Sequence, residues 1–166
     1  MATDVTGSRQ QPGRFSDRVG YLLKQVDSVL RARMDDVLRP LGLTVPQYAC
    51  LELLGAEPGL SGAELARGAF VSRQAMNLVV KGLQDRDLIT RPDTAPSGRS
   101  RPIELTPAGD TLLRTAAARV IQVETIMVSL LSDRRLQQLR SGLESCVTAL
   151  ENLPQRPPNS GTVPGA

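Results

Sequence analysis

The stretch that decides the fold is Val71-Ser-Arg-Gln-Ala-Met-Asn-Leu-Val-Val-Lys-Gly-Leu-Gln-Asp-Arg-Asp-Leu88. Met76, Val79, Val80 and Leu83 recur every three or four residues, which places them on one face of a helix. The opposite face carries Arg73, Gln74, Asn77 and Lys81, side chains that suit base edges and phosphates. Ser72 stands where an N-cap belongs, and the backbone N–H groups at that helix start would also face a phosphate. Upstream, Ser61-Gly-Ala-Glu64 has the spacing of a capping box and opens a shorter apolar helix through Leu65 and Ala66. Two short helices joined by a tight turn around Phe70 and Val71, the second with a polar outer face, describe a helix-turn-helix.

The segment after this helix sharpens the reading. Leu88-Ile-Thr-Arg91 and Pro102-Ile-Glu-Leu105 read as two short strands, with Ile89 and Ile103 as their apolar members. Between them, residues 92–101 form a turn-rich tip carrying Arg99 and Arg101, with no acid after Asp93. A hairpin with a basic tip beside a helix-turn-helix is a winged helix, its tip suited to a minor groove or a line of phosphates. Taken singly, a polar helix face is ordinarily a solvated face and an arginine-bearing loop ordinarily a loop. The order of the pieces carries the reading: capping box, short helix, polar-faced helix, hairpin, basic tip, new capped helix.

Composition agrees. The 166 residues suit one domain with a serviceable core. Aromatics make up 2% and Trp is absent, so the core must come from Leu, Val, Ile, Ala and Met, which favours helices. Net charge is +3 and the sequence pI is near 9.3, a mild excess that fits a nucleic-acid binder. Between Ala66 and Ile103 it is sharper: Arg67, Arg73, Lys81, Arg86, Arg91, Arg99 and Arg101 stand against Asp85, Asp87 and Asp93, a net +4.

Other chemistries find no footing. The chain has no histidine, which excludes Ser-His-Asp catalysis, Cys-His nucleophiles and histidine-based zinc sites. No glycine-rich phosphate loop with lysine follows a strand. Acid pairs such as Asp35-Asp36 fall on helix surfaces. No enzyme, catalytic residue, metal or cofactor is therefore expected. Cys50 and Cys146 both lie in apolar helical patterns and read as reduced, buried packing cysteines. With no signal-like run and no membrane-length apolar stretch, the chain reads as soluble and cytoplasmic, with no membrane partner.

In chain order, residues 1–13 and 154–166 are polar or Pro/Gly-rich and read as disordered tails. Residues 14–153 read as a single domain. A long helix opened by Ser16 or Asp17 fills residues 14–42; its apolar stripe runs from Val19 to Leu38 and ends at Pro40 and Gly42. The winged helix-turn-helix spans 43–106 and begins with Thr44 as N-cap and Gln47 completing a capping box. Residues 107–153 form two further helices, restarted at Ser132-Asp133, the last with near-heptad spacing from Leu136 to Leu153. Their apolar surface exceeds what a small winged helix covers. The expectation is therefore a mainly α fold with a small β-hairpin wing, flanked by N- and C-terminal dimerisation helices, forming a homodimer.

Leu43-Thr-Val-Pro-Gln47, Leu65-Ala66, Val71-Ser-Arg-Gln74, Leu83 followed by Asp87-Leu-Ile-Thr-Arg91, and Leu105-Thr-Pro-Ala-Gly109 together resemble the MarR (multiple antibiotic resistance regulator) family, over about residues 17–153. The resemblance implies a homodimeric winged-helix repressor that binds double-stranded DNA at a promoter operator. It further implies release by a small phenolic or lipophilic effector held between dimerisation helices and winged helix. Carried over by position, it implies that Ser72, Arg73, Gln74 and Asn77 face the groove and that Arg99 enters the minor groove. Ser97-Gly-Arg99 stands where the family usually reads Asp-Arg-Arg, so an aspartate that would brace the wing arginine is missing. Leu78 replaces a frequent arginine, and Lys81 stands where an acid is frequent. Asp87 replaces a common glycine, which Asp tolerates in a left-handed backbone.

Tyr21, Lys24 and Gln25 on the first helix and Tyr48 on the second are the candidate polar contacts for an effector in an otherwise aliphatic cleft. Two other readings compete: a winged-helix interaction scaffold with no DNA target, and a regulator responding to oxidation at a cysteine. No basic residue adjoins either cysteine to lower its pKa, which favours packing roles.

Overall fold

The computed structural model describes residues 14–90 and 102–153. The wing tip with Arg99 and Arg101, and the two tails at 1–13 and 154–166, lie outside the described residues. Described elements are a 3-10 turn at Phe15–Asp17, α1 (Val19–Leu38), a 3-10 turn at Arg39–Leu41, α2 (Val45–Ala56), α3 (Gly62–Gly68), α4 (Arg73–Gln84), β1 (Ile89–Thr90), β2 (Glu104–Leu105), α5 (Pro107–Val128) and α6 (Asp133–Glu151). The architecture is mainly helical with one two-stranded antiparallel sheet. The described residues fall into two compact units, one up to Met127 and one from Val128 that contains α6.

The start of α1 differs from expectation. Ser16 does not cap it: its hydroxyl donates to the Asp17 carboxylate at 3.3 Å, and Arg18 occupies the extended N-cap position without a side-chain bond to the helix. Ser16 lies inside the 3-10 turn, two residues before the N-cap position, so its hydroxyl is not placed to accept from the first N–H groups of α1. The other end follows the sequence. Pro40 lies in the 3-10 turn and Gly42, at φ 67°, takes the left-handed conformation that reverses the chain.

Thr44 then caps α2 as read: Gln47 N–H donates to Thr44 Oγ1 at 3.4 Å, and Thr44 N–H donates to Gln47 Oε1 at 3.0 Å. After α2, Gly59 sits at φ 88° and its N–H donates to the Ile103 carbonyl at 3.0 Å, holding the second wing strand against the helix-turn-helix. Leu38, Leu51, Leu54, Leu65, Met76, Leu83 and Ile103 are fully buried together. Each aliphatic side chain so buried contributes about 1.5–3 kcal/mol, which is how a chain with so few aromatics still holds a core.

α5 buries Gly109, Leu113, Ala116 and Val120, the helical spacing of one face. By contrast α1 buries only Leu38 and leaves Val19, Leu22, Leu23, Val26 and Val29 substantially exposed. α6 buries nothing, and Leu139, Leu143, Val147 and Leu150 are exposed. That corrects the reading of Cys146. Cys50 is buried in the core, but Cys146 is exposed, because the apolar stripe of α6 has no cover within its unit. No single helix among the described residues is long and apolar enough to cross a membrane.

Candidate nucleic-acid interface

The helix-turn-helix is built by local hydrogen bonds that the sequence specifies. Ser61 and Glu64 close a capping box on α3: Ser61 N–H donates to Glu64 Oε2 at 2.8 Å, and Glu64 N–H donates to Ser61 Oγ at 3.3 Å. Those bonds to Ser61 also hold the Glu64 carboxyl below its usual range. α3 runs close to α2, where a Cβ on Gly68 would press into the Leu53 methyls at 2.9 Å. The turn to α4 is tight: Val71 N–H donates to the Ala66 carbonyl at 3.0 Å, and Phe70 takes φ 55°. Phe70 is 95% exposed. Nothing in the sequence flags an aromatic residue in this left-handed position, which ordinarily goes to Gly or Asn.

Ser72 caps α4 in fact as well as in expectation, accepting the Ala75 N–H at 3.1 Å on its Oγ. Met76, Val80 and Leu83 bury one face, with Val79 partly buried beside them. That anchors the rotation of the helix about its axis. Arg73, Gln74, Asn77 and Lys81 consequently all lie exposed, on a single surface of one helix. Leu78 shares that surface at 73% exposure. The far end of α4 is pinned by Arg86, whose Nη1 donates to the Gly42 carbonyl at 2.7 Å across the α1–α2 turn. In the sequence Arg86 counts only as a charge; its role depends on a bond to a residue 44 positions away.

The base of the wing is equally defined. Asp87 takes φ 54°, the left-handed conformation anticipated for it, and Leu88 N–H donates to the Leu83 carbonyl at 3.0 Å. Ile89 pairs with Leu105 and Thr90 with Glu104. Thr106 ties the hairpin back: its N–H donates to the Leu88 carbonyl at 3.1 Å and its Oγ1 to the Asp87 carbonyl at 2.7 Å. The same Oγ1 accepts the Gly109 N–H at 3.0 Å and so caps α5.

The candidate effector residues separate. An apolar cleft of about 740 Å³ between α1 and α5 is walled by Leu22, Val26, Val29, Leu30, Val123, Ile126 and Met127, with Gln25, Arg33 and Asp36 as its polar members. Gln25 is the one candidate on it. Tyr21 and Lys24 join Gln25 on a shallower groove of about 280 Å³, where Lys24 pairs with Asp27 at 2.9 Å. Tyr48 lines neither. It is buried in the core, where burial and the Glu52 carboxylate push its phenol pKa upward. Arg33 and Asp36 were missed because a surface ion pair on a helix has no distinguishing sequence signal.

Comparison with known proteins bears on this geometry. Residues 41–100 match the family model described as MarR family. The chain is 42% identical over 126 residues to the HTH-type transcriptional repressor Rv2887 of Mycobacterium tuberculosis, covering 76% of this chain and 91% of that protein. Its structure is similar to that of the Mycobacterium tuberculosis MarR family protein Rv2887 in complex with DNA, with a TM-score of 0.65 and 38% identity over 78% of this chain and 97% of the other. The Rv2887 complex with salicylic acid gives a TM-score of 0.65 and 41% identity, over 78% of this chain and 96% of the other.

Proposed function

This chain belongs to the MarR family, and on that premise we propose that it is a homodimeric transcription repressor that binds a pseudo-palindromic operator and is released by a small phenolic or lipophilic effector. The observation that carries the DNA-binding part is α4, capped by Ser72 and rotated by its buried face so that Arg73, Gln74, Asn77 and Lys81 are outward together. Arg73 and Lys81 supply charge for phosphates, while Gln74 and Asn77 carry amides that match adenine in the major groove. Arg99 and Arg101 extend the contact into the wing. Support also comes from Rv2887, which has been solved with DNA.

Dimer formation is supported by the exposed apolar faces of α1 and α6, aliphatic stripes that lack cover within the chain's own units. A two-fold dimer puts its recognition helices about 34 Å apart, hence the two half-sites. For the effector, the cleft between α1 and α5 offers aliphatic walls and a guanidinium, which suit an aromatic carboxylate. Rv2887, solved with salicylic acid, supports that class. Gln25 and Arg33 replace Tyr48 as the polar contacts.

The test is fluorescence anisotropy of the purified protein on DNA from upstream of its own gene, titrated with salt and repeated with salicylate. Tight binding with a steep salt dependence is expected. Arg73→Ala and Lys81→Ala should each weaken it and flatten the logarithmic salt slope by about one, the share of a single neutralised phosphate. Salicylate is expected to lower the affinity. Weak, sequence-indifferent binding that ignores both substitutions would favour the interaction scaffold.

A further inference from the structure

We propose that Leu78 reads the 5-methyl group of a thymine in the major groove, making it a specificity-determining residue of the operator contact. This rests on the DNA-binding reading of α4. An isolated exposed leucine needs no explanation. This one has a particular place. At about 100° per residue, Leu78 sits about 160° from both Met76 and Val80, opposite the stripe that anchors the helix. Gln74, one turn earlier, shares that outward midline, with Asn77 and Lys81 flanking it and exposed Ala75 beside it. An apolar side chain, 73% exposed, therefore stands at the middle of an outward face whose neighbours Gln74, Asn77 and Lys81 carry donors and charge.

Leucine has no donor or acceptor. Set against guanine O6 and N7, or the cytosine amino group, it would strip water from a polar edge and return no hydrogen bond. The thymine methyl is the major-groove feature that it can cover with gain. Residues four apart on a helix have Cβ atoms about 5–6 Å apart, on the order of one to two base-pair steps. Gln74 bonded to an adenine would thus set Leu78 over a thymine one or two steps away, and each half-site should contain A·T pairs at that point.

Full-length protein would select duplexes from a randomised pool. The enriched duplex would then be resynthesised with deoxyuridine replacing thymidine at one position at a time, a change that removes only the methyl. At one thymine per half-site the wild type should bind about fourfold more weakly, the worth of one buried methyl group. Leu78→Ala, checked for native helicity, should bind the thymine and uracil versions alike. Uniform indifference to uracil in the wild type would overturn the proposal, as would a methyl effect that survives in Leu78→Ala. A pool that yields no enriched sequence would overturn the DNA-binding reading itself, an outcome distinct from those two.

Discussion

Gly109→Ala tests the joint that fixes the wing to α5. Gly109 lies in the first turn of α5, and a Cβ there would collide with the Leu88 backbone carbonyl oxygen, which has no flexible side chain to yield. Three hydrogen bonds hold this joint: Thr106 N–H to Leu88 O at 3.1 Å, Thr106 Oγ1 to Asp87 O at 2.7 Å, and Gly109 N–H to Thr106 Oγ1 at 3.0 Å. Backing α5 away far enough to admit a methyl group would break or stretch the two that cross to Leu88 and Asp87, while the cap bond from Gly109 moves with the helix. At about 1 kcal/mol net each, the loss is about 2 kcal/mol. Alanine's better helix propensity offsets up to about 1 kcal/mol, leaving a net destabilisation of about 1–2 kcal/mol. Urea unfolding followed by far-ultraviolet circular dichroism, both proteins at one concentration, measures it; concentration must be matched because association shifts the midpoint. A change below about 1 kcal/mol would mean that the joint slides without cost, and the account of Gly109 would be wrong.

Three further outcomes are expected. Leu22→Glu with Val26→Glu, placing charge on exposed apolar positions of α1, should convert the protein to monomers by sedimentation velocity while leaving the helix-turn-helix core folded, since neither residue is buried; an intact dimer would locate the interface elsewhere. Phe70→Gly should relieve a left-handed backbone at no loss of burial, raising stability by up to about 1 kcal/mol after glycine's own entropy cost, and a loss in thermal unfolding would show that Phe70 packs against something. Maleimide should label Cys50 only on unfolding, and should label Cys146 readily once the Leu22→Glu/Val26→Glu protein has become monomeric. Burial pushes the Cys50 thiol from 9.0 up to about 12, so the folded state keeps a proton that the unfolded state releases. That stability is intact below pH 9 and lost between pH 9 and 12, and Cys50→Ala should flatten that part of the pH–stability curve.

How much of the molecule is legible in its sequence depends on the range of the interactions. Both capping boxes, the Ser72 cap and the left-handed Gly42 are decided within four residues of chain, and all are legible. The buried face of α4 is legible from periodicity, and with it the outward set that makes the candidate interface. Cys146 was misread because periodicity identifies an apolar stripe without saying what covers it. The burial of Tyr48 was not legible for the converse reason: a polar tip on an aromatic ring suggested a cleft, and the α2 face carrying it packs into the core. Phe70 and Arg86 were silent because their roles come from a turn geometry and a hydrogen bond across the fold.

The Gly109 joint also bears on how an effector could act. α5 carries the joint at its first turn and Val123, Ile126 and Met127 of the apolar cleft near its other end, about 21 Å along a continuous helix. Leu88, at the joint, is in turn bonded to Leu83 at the end of α4's buried face. Under the proposed function, a ligand that changed how α5 meets α1 at the cleft would push on a continuous helix whose opposite end is tied to the exit of α4 by the Thr106 hydrogen bonds and the close approach of Gly109 to Leu88. On that reading, small displacements entering at the cleft would be carried along α5 to the joint, because packed elements shift as bodies rather than deform continuously. The tight approach that forbids a side chain at Gly109 would then tie the spacing of the DNA-reading surface to the helix that lines the cleft.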